Sequence, residues 1–220
     1  MSTRILILGG TGPAGILLIR EALDAYKHAT LVVYARSPEK IPEDLASNPA
    51  VVIVKGQLDD ADSLAKALEG VDIVVSALGP GVGHPANTPL AKGYTLLIDL
   101  MHKQGVKRLI ALGTASIKDP HDKFSLAYQT LIAGVATLAR TAYKDIVAVG
   151  KVIRNEGADL EWTIVRVPIL TNKDTREVVS GYVGDGKMGT ILARKAYAAF
   201  SIGEIEKKEW VKKAPLISNA

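Results

Sequence analysis

The chain has 220 residues, of which 48% are hydrophobic and 23% charged, a net charge of +4 and no cysteine. That length suits one α/β domain with a substantial core, and the lack of cysteine excludes disulfides and thiolate chemistry. The positive charge is spread: its one dense group, Glu206 to Lys213 (EKKEWVKK), interleaves acidic residues, so it reads as a solvated helix face and implies no nucleic-acid partner.

Arg4 to Leu8 is an apolar run long enough for one buried strand and far too short to span a membrane. It stops at a glycine cluster, Gly9, Gly10, Thr11, Gly12, Pro13, Ala14 and Gly15, and helical character resumes over Ile16 to Ala22. The spacing is G-x-x-G-x-x-G. Gly9 and Gly10 let the chain leave the strand in a tight turn, Gly12 lets the backbone approach a pyrophosphate, and Gly15 lets the helix pack closely on the sheet. Unpaired N–H groups at the helix start favour an anion, and Thr11 adds a hydroxyl. The alternative is a plain structural turn built from small residues.

Thr30 to Ala35 (TLVVYA) fits a buried parallel strand that ends at Arg36-Ser37. An acidic residue there would hold a ribose 2′-hydroxyl, whereas a guanidinium pairs with a 2′-phosphate. NADP is therefore expected over NAD. Ser37 and Lys40 are further candidate donors; Lys40 reads equally as a solvated helix-end lysine, and Arg36 as a surface arginine without a ligand.

Strand and helix alternate from there onward. Val51 to Val54 reads as a strand, Asp62 to Leu68 as a helix, Val71 to Leu78 as a strand, Leu90 to Lys103 as a helix and Arg108 to Leu112 as a strand. Phe124 to Arg140 and Lys144 to Asn155 read as helices, Trp162 to Val167 as the sixth strand, Gly181 to Gly189 as a loop and Thr190 to Phe200 as a helix. The expected architecture is a Rossmann-type α/β fold: a doubly wound parallel sheet in three αβα layers, one domain over 1–220 with about 168–220 shaping the substrate side. Ligands in such sheets sit at the carboxyl ends of strands. That rule selects the loops Gly9 to Gly15, Arg36 to Lys40, Gly56 to Asp60, Gly79 to Thr88, Gly113 to Lys123 and Pro168 to Gly186. Of the four histidines, only His84 and His121 lie on them.

GGTGPAG after the first strand, ARS after the second, GQLDD after the third, SALG after the fourth and LGTAS after the fifth together resemble the atypical short-chain dehydrogenase/reductases. The chain is most similar to the NmrA-like group and to the biliverdin IXβ reductase or flavin reductase type, over roughly Arg4 to Leu170. The segment Gly150 to Val165, a helix ending in glycine before a strand, adds to the likeness. The resemblance implies cofactor contacts from Gln57 and Leu58, from Ala77, Leu78 and Gly79, and from Thr114, Ala115, Ser116, Pro168 and Ile169 around the nicotinamide. Two positions depart from the pattern. Gln57 stands where relatives carry an aspartate that accepts from the adenine amino group, which leaves a neutral acceptor. Arg166-Val167-Pro168 stands where Arg-Pro is usual.

No Tyr-x-x-x-Lys pair occurs: four residues after Tyr26, Tyr34, Tyr94, Tyr128, Tyr143, Tyr182 and Tyr197 come Thr30, Pro38, Ile98, Ile132, Val147, Gly186 and Ser201. The usual phenol–ammonium catalyst of the wider superfamily is missing. Hydride transfer needs no side chain, since the cofactor carries it. Thr114 falls where the reductase relatives carry a serine hydroxyl. With Ser116 it is a candidate to orient a carbonyl or relay a proton, or else simply to satisfy the strand end. His84 and His121 are candidate general acids or exposed bystanders, and Lys151 matches a basic position of the relatives or is a surface lysine. No metal site is expected, because acidic residues are dispersed and no histidine pair has i, i+4 spacing. The stripe Leu126, Leu131, Val135 and Leu138 reads as core or a dimer face.

The favoured function is an NADPH-dependent oxidoreductase acting on a small conjugated, flavin-like or quinone-like molecule. A non-catalytic NADP-sensing regulator of the NmrA-like kind, or an isomerase or cyclase on the same fold, stays open. A small-molecule substrate, no membrane partner and a monomer or homodimer are expected. So is a cytoplasmic location, since no charged segment and long apolar run open the chain.

Overall fold

Leu6 and Leu8 of the first strand point into one core and Ile5 and Ile7 into another, the two-residue period of a strand covered on both faces. That strand, β1 (Arg4–Leu8), is central. Around it run β2 (Thr30–Ala35), β3 (Val51–Lys55), β4 (Ile73–Ser76), β5 (Arg108–Thr114) and β6 (Glu161–Val167). The computed structural model, which describes residues 3–81 and 83–219, pairs them in parallel in the order β3-β2-β1-β4-β5-β6. The order reverses between β1 and β4, which opens a crevice at their carboxyl ends. The sheet is doubly wound, as the sequence leads one to expect.

Helices α1 (Pro13–Ala25) and α7 (Arg194–Lys207) cover one face, where Leu18, Ile19 and Ala22 meet Ile7, Val33, Tyr197 and Ile202. Helices α3 (Ala61–Leu68), α4 (Pro89–Gln104) and α6 (Arg140–Glu156) cover the other through Leu64, Leu97, Met101, Val149 and Ile153. The short α2 (Glu43–Ala46) adds Leu45 to the first core. Helix α5 (Leu126–Leu138) differs from the rest. Tyr128 is its one buried residue, fastened by its hydroxyl to the Gly189 carbonyl at 2.5 Å.

The last third of the chain departs from expectation. Thr190 to Phe200, read as one helix, divides: β9 (Ile191–Ala193) pairs with β7 (Ile169–Thr171), and the helix starts only at Arg194. The expected loop at Gly181 to Gly189 begins inside β8 (Val179–Gly181), which runs antiparallel to β10 (Leu216–Ser218), itself parallel to β6. Glu206 to Lys213 is not a continuous helix face, since α7 stops at Lys207 and Lys208 takes a left-handed conformation.

This segment is tied to the sheet by Arg166, which is wholly buried. Its Nε donates to the Ala214 carbonyl at 2.7 Å, and its two terminal nitrogens donate to Asp122 at 2.6 and 2.8 Å. Asp122 also accepts from the backbone N–H groups of Asp119 and Val183. Burial alone would raise the Asp122 pKa, but the Arg166 hydrogen bond and charge outweigh it, and the net shift is downward.

Candidate functional site

The turn after β1 is built for close approach. Gly9 sits at φ +75°, and a Cβ there would lie 3.0 Å from the Ala77 and Leu78 backbone. At Gly15 a Cβ would lie 2.0 Å from the Gly9 carbonyl oxygen, so only glycine lets α1 begin against the turn. Pro13 occupies the first turn of α1, and Gly12 at its N-cap supplies no side-chain acceptor. The first N–H groups of a 13-residue helix are left for an anion. These features fit a dinucleotide pyrophosphate.

A cleft of ≈ 790 Å³ opens over this turn. Its walls come from the turn itself (Leu8, Gly9, Thr11), the β2 end (Tyr34, Ala35, Arg36), the β3 end (Gly56 to Asp59), the β4 end (Leu78, Gly79) and the start of α4, including Lys92. Arg36 is exposed and makes no hydrogen bond or ion pair among the described residues, so its guanidinium is available to a ligand. Tyr34 shapes the floor. Burial, then the Asp60 and Asp59 charges, pushes its pKa up to about 12, and the phenol donates to the Gln57 carbonyl at 2.6 Å.

The wall between β4 and α4 is clamped from α6. Asp145, wholly buried, accepts from the backbone N–H groups of Leu90 and Ala91, each at 2.9 Å, and contacts His84 Nε2 at 2.7 Å. Thr88, at the N-cap, is left-handed and makes no side-chain cap, so a carboxylate from another helix takes over that task. The His84 carbonyl accepts from Thr141 Oγ1 at 2.8 Å. Deeper down, the hydroxyls of Tyr94 and Tyr197 donate to the Ser76 side chain and carbonyl at 2.7 and 3.0 Å. Burial raises the pKa of both phenols.

A second, smaller cavity of ≈ 220 Å³ lies at the carboxyl ends of β5 and β6. Thr114, Ala115 and Ser116 line it, with Val167, Pro168 and Ile169 after β6 and Leu131, Ile132 and Val135 from α5. Thr114 Oγ1 accepts the Ser116 N–H at 3.3 Å, which leaves the threonine hydroxyl hydrogen for another partner.

A family model described as NAD(P)H-binding matches residues 9–208. The chain belongs to this NAD(P)H-binding family. Among curated relatives, isoeugenol synthase 1 of Clarkia breweri is 28% identical over 53% of this chain and 36% of its own length. Phenylcoumaran benzylic ether reductase IRL1 of Ginkgo biloba is 39% identical over 35% of this chain and 26% of its own. The chain thus spans about a quarter to a third of the curated relatives it matches. In fold it is similar to a short-chain dehydrogenase/reductase of Veillonella parvula (TM-score 0.81, 16% identity, 100% of this chain and 95% of that one). A wide-type short-chain dehydrogenase/reductase of the same organism, solved with NADP, has a TM-score of 0.80 at 17% identity and matches 100% of this chain and 95% of that one.

For this NAD(P)H-binding chain the residues expected from sequence divide in three. Gly9, Thr11, Arg36, Gln57, Leu58, Leu78 and Gly79 line the large cleft. Gly10, Gly12, Pro13, Ala14, Gly15 and Ala77 form the turn and its support behind it; Ser37 caps the start of the 3-10 turn Pro38–Lys40, and neither Ser37 nor Lys40 lines the cleft. Thr114, Ala115, Ser116, Pro168 and Ile169 gather at the small cavity. The proposed acids do not converge on that cavity. His84 lines the large cleft with its ring held by Asp145. His121 lines neither cavity: it is exposed, contacts Asp119 at 2.9 Å and stacks on Tyr182. Lys151 is exposed on α6 and lines neither as well.

Sequence reasoning missed Asp145, whose role depends on a contact 55 residues away, and Lys92, whose position on the cleft follows from how α4 packs. Of the two readings the sequence allowed for the α5 stripe, main core does not hold, and a dimer face stays a proposal. Leu131 and Val135 wall the small cavity, while Leu126 and Leu138 are 71% and 91% exposed, so none is sealed in the main core. Among the described residues no helix is long and apolar enough to cross a membrane, and no cluster of three metal-ligating side chains occurs.

Proposed function

We propose that this chain is an NADPH-dependent reductase of a small conjugated acceptor, flavin-like or quinone-like. The observation that carries the reading is the small hydroxyl-bearing cavity at Thr114, placed on strand ends two and three positions along the sheet from the glycine cradle. The naming of several relatives as reductases supports it. When bound, NADPH supplies the hydride. The glycine turn and the open start of α1 receive the pyrophosphate, and Arg36 pairs with the 2′-phosphate. Thr114 donates its hydroxyl hydrogen to a carbonyl oxygen and so fixes which face of the acceptor is presented. The second hydrogen of the reduction arrives as a proton from water, since no titratable side chain lines that cavity among the described residues.

The same lack of an acid supports a second reading, a non-catalytic NADP sensor. Oxidation of NADPH followed at its near-ultraviolet absorbance, with quinone and flavin acceptors, separates the two. Turnover supports the reductase; tight NADPH binding with no turnover on any acceptor supports the sensor.

A further inference from the structure

From Phe124 to Ala139, a stretch that contains all of α5, the sequence holds no charged residue. A helix that is apolar all round is ordinarily buried, yet Tyr128 alone is buried here. Its outward face is Leu126, Ala127, Thr130, Ala133, Thr137 and Leu138, all exposed. The Thr137 hydroxyl turns back onto the Ala133 and Gly134 carbonyls, each at 3.0 Å, so it needs no partner outside the helix. Phe124, 78% exposed, extends the patch just before the helix. Exposed apolar patches rimmed by polar residues mark surfaces that meet a protein or a membrane.

The rim decides between those two. Among the described residues from 118 to 151, every exposed charged side chain is a lysine or an arginine: Lys118, Lys123, Arg140, Lys144 and Lys151. None of them forms an ion pair among the described residues. The three acids of the same stretch are taken up locally: Asp119 meets His121 and Arg154, Asp122 meets Arg166, and Asp145 meets His84. Lys123 precedes α5 while Arg140 and Lys144 follow it, which sets an apolar strip between cations at both ends.

A second copy of the chain fits this surface poorly. Two such helices packed about a two-fold axis bring cation against cation. One face of a 13-residue helix measures about 20 Å by about 10 Å, against about 800 Å² per partner in a stable interface. An anionic bilayer matches both features, since its headgroups attract the rim and its acyl boundary receives the leucines and the phenylalanine.

We propose that α5, with Phe124 before it and Lys123, Arg140 and Lys144 at its ends, is a peripheral docking surface for an anionic phospholipid bilayer. The helix lies among the headgroups and does not cross them. With few inserted side chains and three flanking cations, attachment is reversible and sensitive to salt.

The test is sedimentation of the full chain with phosphatidylcholine vesicles that contain or lack phosphatidylserine. The chain partitions at least about tenfold more strongly onto the phosphatidylserine vesicles, and about 0.5 M NaCl abolishes the difference. Lys123→Gln with Arg140→Gln weakens partition at least about tenfold, each cation near the surface being worth about fivefold. Phe124→Ser with Leu138→Ser weakens it at least about fivefold. These four side chains are exposed and line neither cavity, so Tm and NADP+ affinity stay as in the wild type. Equal partition onto both kinds of vesicle, no partition onto either, or partition indifferent to both pairs of substitutions overturns the proposal. So does a dimer in solution that Phe124→Ser with Leu138→Ser dissociates, since a second copy would then be the occupant.

Discussion

Gly15, Asp122 and Thr114 are positions where single atoms decide the outcome. A methyl at Gly15 would lie 2.0 Å from a backbone oxygen, and the helix must move to relieve it. Gly15→Ala is therefore expected to weaken dinucleotide binding and to lower stability by about 1–3 kcal/mol, read by denaturant unfolding. Asp122 holds the buried Arg166, and its folded pKa is depressed despite burial. Its contribution is thus complete above the ordinary value of 3.8 and fades as the pH falls through the lower folded value. Asp122→Asn is predicted to cost about 3–5 kcal/mol at neutral pH, because it leaves a buried guanidinium without its charge partner, and to flatten the acid limb of the stability profile. An unchanged acid limb would remove Asp122 from that account. At Thr114, Thr114→Val is expected to lower kcat for a carbonyl acceptor about tenfold or more with little change in NADPH affinity. Thr114→Ser should restore it.

Between elements, the contact to watch is the one from α6 to α4. Asp145→Ala removes the acceptor of two α4 N–H groups and frees His84, so hydrogen exchange across 83–91 should accelerate and NADPH affinity should fall by about 1–2 kcal/mol. Exchange unchanged in that segment would show that the loop is held by something else. None of this was readable from the sequence, because Asp145 sits in a helix whose pattern announces only a buried face. The central strands were readable for the opposite reason. Runs such as ILIL in β1 and LVVY in β2 are continuous and apolar, bounded by glycine or a charge, and allow one interpretation. Strands β7 to β10 have three residues each, too few to display a period, and Ile191-Leu192-Ala193 runs directly into a helix of similar composition. Their pairing is set by partners distant in sequence. The glycine turn was legible because its conformation demands those residues, whereas the histidine assignments rested on loop membership, which says nothing of where a ring points.

Across the whole molecule, the parallel order around β1 and β4 places the glycine turn, Arg36 and the Thr114 cavity along one edge of one sheet. Cofactor binding should therefore stabilise the entire fold by mass action. NADPH at a hundred times its Kd is expected to add about 2.7 kcal/mol and to raise Tm by several degrees. The central claim is that this cleft is an NADPH site read by Arg36. Titration of NADPH and NADH against the wild type and Arg36→Ala, followed by cofactor fluorescence, tests it most directly. The account predicts tighter NADPH binding in the wild type and loss of most of that advantage, about 1–3 kcal/mol, in the variant. Equal affinity of the wild type for the two cofactors, or an NADPH preference that survives the substitution, would contradict it.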